Sequence, residues 1–128
     1  MQSDSIATDR RRHLRFPAPE RAVAVERNSN KLGQIQDISM GGLSFRYIDA
    51  EGGLGSSGSL MDIVDTESGF YLKEIPFEIV ADFLVDDLPS FSALPVRQCS
   101  VRFGELKDAQ RSLLEAFLSR CGDLGGPV

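Results

Sequence analysis

Short segments rich in β-branched and aromatic residues succeed one another along most of this chain, and their spacing limits its fold more than any other feature. Val23 and Val25 fall on one face of such a segment, Leu43, Phe45 and Tyr47 on one face of another, and residues 60–64, 70–72, 75–85 and 97–103 follow. Gly41-Gly42, Ser68-Gly69, Pro89 and Pro95 punctuate them. Many short strands with turn signals predict a closed antiparallel barrel rather than a parallel sheet. One segment resists assignment. Ile35, Asp37 and Ser39 share one side and Gln34, Gln36 and Ile38 the other, so neither side is cleanly apolar and its facing stays open.

The period changes near the C-terminus. Leu106, Ala109, Leu113, Phe117 and Cys121, joined by Leu114 and Leu118, recur at three- and four-residue steps and form one apolar stripe. This predicts a helix packed on the barrel, with Asp108 as N-cap and Gly122 as its stop. Residues 122–128 are expected to fray as a flexible tail, and residues 1–9, polar and aperiodic, to form a flexible arm. Phe16-Pro17-Ala18-Pro19 forbids helix and favours an extended approach to the first strand. The Gly/Ser-rich stretch 52–58 lacks the G-K-[ST] ending of a phosphate-binding loop and reads as a flexible connection. There is no internal repeat, and residues 10–121 are expected to form one domain.

Charge is unevenly placed. The net charge is -5, yet Arg10, Arg11, Arg12 and Arg15 carry four positive charges within six residues, so the remainder of the chain carries -9. An acidic body repels a polyanion everywhere except at this cluster, which favours a small anion over nucleic acid. Guanidinium groups match phosphate with a rigid fork of donors and stack on planar rings. About twenty residues on, Asp37-Ile38-Ser39-Met40-Gly41-Gly42 supplies a carboxylate, a hydroxyl and two glycines, a set suited to the polar edge of a base where backbone must come close. The two segments predict a ligand both anionic and aromatic, such as a nucleotide.

With these residues the chain resembles the PilZ domain family, receptors for the bacterial second messenger cyclic di-GMP. The family pattern is R-x-x-x-R followed by [DN]-x-S-x-x-G. Arg11 and Arg15 match the first half, and Asp37, Ser39 and Gly42 the second. Arg15-Phe16-Pro17 and Val101-Arg102-Phe103, with Leu106 and the helix beyond, resemble the two ends of the family's barrel. The resemblance implies an all-β fold, a six- to seven-stranded antiparallel barrel with a C-terminal helix. It also implies a ligand site at Arg10, Arg11, Arg15, Asp37, Ser39, Gly41 and Gly42. Arg11 and Arg15 would hold phosphates, Asp37 and Ser39 would meet the guanine edge, and Gly42 would leave room for the base. An arginine just before R-x-x-x-R, here Arg10, implies a stacked pair of cyclic di-GMP molecules. Ligand binding would order the arginine arm and signal to a downstream protein.

Two other readings stay open, a PilZ-like protein-interaction module with weak or no nucleotide binding and a basic-armed nucleic-acid binder. Catalysis is not expected. His13 is the sole histidine and lies among like charges, a poor base for any serine nucleophile. No Cys/His cluster or acidic set has metal-ligand spacing, so no metal or cofactor is expected, and Asp82, Asp86 and Asp87 read as solvated, edge-protecting charge. No apolar run approaches the ~18 residues of a membrane span, and the N-terminus lacks a signal-peptide pattern. The expected location is the cytoplasm, where Cys99 and Cys121 would be buried free thiols.

Overall fold

The computed structural model describes residues 14–29, 31–49, 59–85 and 94–125. The expectations for the 1–9 arm, for Arg10, Arg11, Arg12 and His13, for the 52–58 connection, for Asp86, Asp87 and Pro89, and for residues 126–128 concern residues outside these ranges. Among the described residues seven strands and one helix follow in order: β1 (Phe16–Pro17), β2 (Ala22–Glu26), β3 (Lys31–Ile38), β4 (Gly42–Ile48), β5 (Ser59–Asp65), β6 (Phe70–Leu84), β7 (Val96–Phe103) and α1 (Asp108–Gly125). All pairings are antiparallel, in the order β1-β3-β2-β5-β6-β7-β4, and β4 also pairs with β3. That last pairing closes six strands into a barrel and so removes the free edges that would otherwise invite association. β1 is the extra strand. It runs along the same edge of β3 as β2 does, further towards the end of β3, with Phe16 opposite Ile38 and Pro17 opposite Asp37.

Leu43, Phe45 and Tyr47 point inward as expected, joined by Ile35, Ile38, Met61, Ile63, Leu72, Ile75, Cys99 and Val101. In β2 the facing is the reverse of what valine pairs usually indicate. Ala22 and Ala24 are fully buried, while Val23 and Val25 are half-buried on the outer face. Ala24 lies opposite both Gly33 and Ile63, and small side chains there leave the interior to Phe45. A bulge resolves the mixed pattern of β3: the register shifts between Ile35 and Asp37, so Gly33 and Ile35 face inward, then Ile38, and Asp37 is turned outward. Gly33 is obligatory, because a Cβ would fall inside contact distance of the Arg46 carbonyl. β6 is long enough to serve two partners. Its first half pairs with β5 and its second with β7, with register shifts on both sides.

The helix begins at its expected cap, one residue earlier than the sequence suggests. The Lys107 carbonyl accepts the Arg111 N–H at 2.9 Å, and Gln110 Oε1 accepts the Lys107 N–H at 2.9 Å, so Lys107 occupies the capping position and Asp108 is the first helical residue. The Gln110 amide also donates to the carbonyls of Lys73 and Glu74, which ties the helix start to β6. Leu106, Leu114, Phe117, Leu118 and Cys121 are buried, Phe117 stacking on Phe70 at 4.3 Å between ring centroids, but Ala109 and Leu113 are exposed. The buried stripe is therefore narrower and rotated from the one the spacing suggests. α1 lies against β1 and β6. It continues through Gly122 to Gly125, and Gly122, rather than ending it, leaves room for the Phe16 ring, which would stand 3.3 Å from a Cβ there. Cys99 and Cys121 are free and buried, and burial pushes the Cys99 thiol up to about 12. Among the described residues no helix is long and apolar enough to cross a membrane.

Two carboxylates are held ionised by the barrel. Burial works against charge on Glu26, but hydrogen bonds from the Ser29 and Ser59 side chains and from the Ser29 and Asn28 N–H groups outweigh it and hold the carboxyl below its ordinary 4.5. Burial likewise opposes charge on Asp62. The Glu74 N–H at 2.9 Å, Arg27 Nε at 3.0 Å and the Tyr71 hydroxyl at 3.2 Å hold that group below 3.8. A carboxyl whose folded value is depressed contributes stability above its unfolded value and loses it as pH falls through the folded one. Thermal stability should therefore fall as pH drops through and below 4.5 and 3.8. The double variant Glu26→Gln, Asp62→Asn should be less stable near neutrality and show a flatter acid limb by thermal melts. An acid limb as steep as the parent's would contradict this.

Candidate ligand-binding site

Five of the seven expected site residues come together where β1, β3 and β4 meet. Arg10 and Arg11 lie outside the described residues. Arg15 immediately precedes β1, and the pairing of β1 with the end of β3 brings its guanidinium to the Asp37 carboxylate as an ion pair. The β3 bulge makes this possible, since without the register shift Asp37 would turn towards the core. Both side chains are partly buried, so the pair is screened less than a free surface pair.

Ser39, Gly41 and Gly42 build the turn beside this pair. The Ser39 N–H donates to the Gly42 carbonyl at 2.8 Å, and the Ser39 hydroxyl accepts the Gly41 and Gly42 N–H groups at 3.1 and 3.2 Å. Ser39 is 5% exposed. Its hydroxyl is thus engaged in shaping the turn, a task that motif spacing does not reveal. Gly41 accepts the Phe103 N–H at 2.9 Å, which fastens the turn to β7. Gly42 is needed for the same junction, because a Cβ there would overlap the Val101 carbonyl oxygen. The room it leaves is filled by the backbone of β7.

The outer face of the barrel beside the turn carries residues that no local motif marks. Gly42, Arg102 and Glu78 form one row across β4, β7 and β6, and Arg102 pairs with Glu78. In the next row Asp37, Ser44, Ser100 and Ala81 stand opposite one another. The third row holds Gln34, Arg46, Gln98 and Phe83, with Arg46 Nε donating to Gln98 at 2.8 Å. The row between Arg102 and Arg46 therefore carries the small side chains of Ser44, Ser100 and Ala81, with Asp37 and its partner Arg15 at its end. Alternation around Leu43, Phe45, Val101 and Phe103 was the only sequence signal for these outward positions. Among the described residues no group of three or more His, Cys, Asp or Glu side chains could hold a metal ion.

The PilZ domain family model matches residues 9–120. Among solved structures, the chain is similar to the PilZ domain with c-di-GMP of YcgR from Escherichia coli, at 14% identity and a TM-score of 0.67, covering 91% of this chain and 97% of that one. It is also similar to YcgR in complex with c-di-GMP from Escherichia coli, at 18% identity and a TM-score of 0.62, over 91% of this chain and 48% of that one. The K. pneumonia MrkH-c-di-GMP complex aligns at 20% identity with a TM-score of 0.62, over 88% of this chain and 51% of that one. No curated protein matches.

The turn geometry gives a direct expectation for the protein without ligand. Ser39→Ala should lower folding stability by about 1–3 kcal/mol, because one buried and one partly buried N–H group lose their acceptor. Gly42→Ala should do more harm, since backbone rather than a flexible side chain blocks the new methyl group. Thermal melts check both. A Ser39→Ala variant as stable as the parent would show that the turn does not need the hydroxyl.

Proposed function

We propose that this chain, which belongs to the PilZ domain family, is a cyclic di-GMP receptor that signals to another protein through its arginine segment. The observation that carries the reading is the Arg15 to Asp37 ion pair at the rim of the Ser39–Gly42 turn. It holds a phosphate-binding cation and a base-reading anion side by side, each a temporary partner for the other. The likeness to structures described as containing c-di-GMP supports this ligand over other nucleotides.

Binding is then an exchange of partners. A phosphate of the ligand takes the Arg15 guanidinium through paired N–H donors, and Asp37, released, accepts the N1–H and N2–H of a guanine. The phosphate replaces Asp37 as the partner of Arg15 and the guanine edge replaces Arg15 as the partner of Asp37, so neither charge is left without a partner. Arg11, four residues before Arg15, supplies a second guanidinium. Arg10 supplies a third, which offsets the repulsion among the phosphates of a stacked pair and flanks a guanine face. Drawn in by these contacts, the N-terminal segment orders against the barrel and presents a new surface to a partner. No bond is made or broken in this scheme, and the protein acts in the cytoplasm, where the messenger is made.

Calorimetric titration with cyclic di-GMP, with GTP and a short DNA duplex as controls, tests the reading. Saturation is expected at two ligands per chain, with neither control binding comparably. Arg15→Ala and Arg11→Ala should each weaken binding by about 2–4 kcal/mol, the range for truncating an arginine in a desolvated charge pair. Arg10→Leu should lower the stoichiometry towards one, and the second ligand should be lost first as salt rises. A parent protein that does not bind cyclic di-GMP would overturn the function, and saturation at one ligand would overturn the stacked pair.

A further inference from the structure

Ser44 lies on the outer face of β4 between two core residues, Leu43 and Phe45, yet it is only 2% exposed and its hydroxyl has no hydrogen-bond partner. Serine hydroxyls are readily satisfied, because the proton rotates to any acceptor within reach. One buried without a partner is uncommon and calls for a cause. The place of Ser44 supplies one. It stands directly opposite Asp37 on β3 and Ser100 on β7, in the small-residue row between the rows of Arg102 and Arg46. Opposed residues on one face of an antiparallel pair hold their Cβ atoms about 5 Å apart, so a planar group lying on this row can touch both side chains. No hydrogen bond joins the hydroxyl to Asp37, whose Oδ1 pairs with Arg15.

We propose that Ser44 is a base-reading residue whose hydroxyl donates to O6 of a guanine held by Asp37. The inference rests on the cyclic di-GMP reading and deepens it. The hydrogen-bonding edge of guanine carries an acceptor, O6, next to two donors, N1–H and N2–H. A carboxylate can accept from the donors but must repel O6, so a guanine site built on Asp37 needs a neighbouring donor for O6. Ser44 is that neighbour in the row. Once a phosphate draws Arg15 from Asp37, both groups of the row become available to the base together. The hydroxyl, unpartnered in the free protein, gains its partner in the complex. Adenine reverses the pattern at two positions, with an amino group at C6 and an unprotonated N1 facing the carboxylate, and fits the pair poorly.

Calorimetry on the full chain with cyclic di-GMP and with cyclic di-AMP, combined with ligand-free thermal melts, tests this. Ser44→Ala should melt no lower than the parent, because it deletes a hydroxyl that has no partner to lose. It should bind cyclic di-GMP about tenfold more weakly, as expected for one lost hydrogen bond, and its preference for guanine over adenine should narrow. Ser44→Cys keeps the shape with a much weaker donor and should lose affinity in the same direction. If the parent binds and Ser44→Ala binds equally well, or if Ser44→Cys keeps parental affinity while Ser44→Ala does not, the base-reading role is overturned and the receptor function stands. A Ser44→Ala variant that loses its ligand-free transition also overturns it, by showing that the hydroxyl serves the fold. A parent that does not bind cyclic di-GMP overturns the receptor function and this inference with it.

Discussion

The pairing of β3 with β4 is the interaction on which the rest of the structure depends. It turns an open sheet into a barrel, and it does so through a hairpin whose turn is held by the Ser39 hydroxyl and fastened to β7 through Gly41. Two glycines admit the close backbone approaches this closure requires, Gly33 against Arg46 and Gly42 against Val101. The same hairpin carries the bulge that turns Asp37 outward. Closure of the fold and the outward turn of the Asp37 carboxylate are thus products of one local geometry.

Electrostatics divides the molecule in a complementary way. The body carries an excess of acid, and much of it is paired within the barrel, Asp62 with Arg27, Asp82 with Arg97 and Asp49 with Lys31. Asp82 also accepts the Tyr47 hydroxyl at 2.7 Å, and burial together with this bond raises the phenol far above its usual range. Such partners are fixed by cross-strand register and remain within the fold. Arg15 differs in immediately preceding β1, and it is the member of the arginine cluster that pairs with Asp37.

Features written in local sequence were legible. The alternation at Leu43, Phe45 and Tyr47 set the facing of β4 and the change of period announced α1, whereas the motif grouped Arg15 with Asp37 in one site without foretelling their ion pair. Features decided by partners distant in sequence were not. Whether Ala24 or Val25 faces inward depends on Gly33 and Ile63, its neighbours across two strands. Gly122 resembles a helix stop until Phe16 is seen against it, and Asp108 resembles a cap until Gln110 is seen bridging Lys107 to β6. The bulge in β3 left its trace as a broken alternation, a signal present in the sequence but ambiguous without the register of β4. Ser44 gave none, since an outward serine is ordinary until its row and its missing partner are known.

The shortness of β1 ties the ligand site to the helix. Two residues paired to β3 would contribute little by themselves, but Phe16 also packs towards Gly122 and so anchors β1 from the helix side. Arg15 is one peptide bond away from that anchor, and Asp37, its ion-pair partner, lies opposite Pro17. In the proposed exchange, a change of partner at Arg15 acts on a strand that packs against both β3 and α1. Rigid packing passes displacement on rather than absorbing it, and a strand of two residues has few internal degrees of freedom in which to dissipate it. The barrel supplies a fixed frame, and in the proposed exchange β1 is where a change at Arg15 would bear on α1.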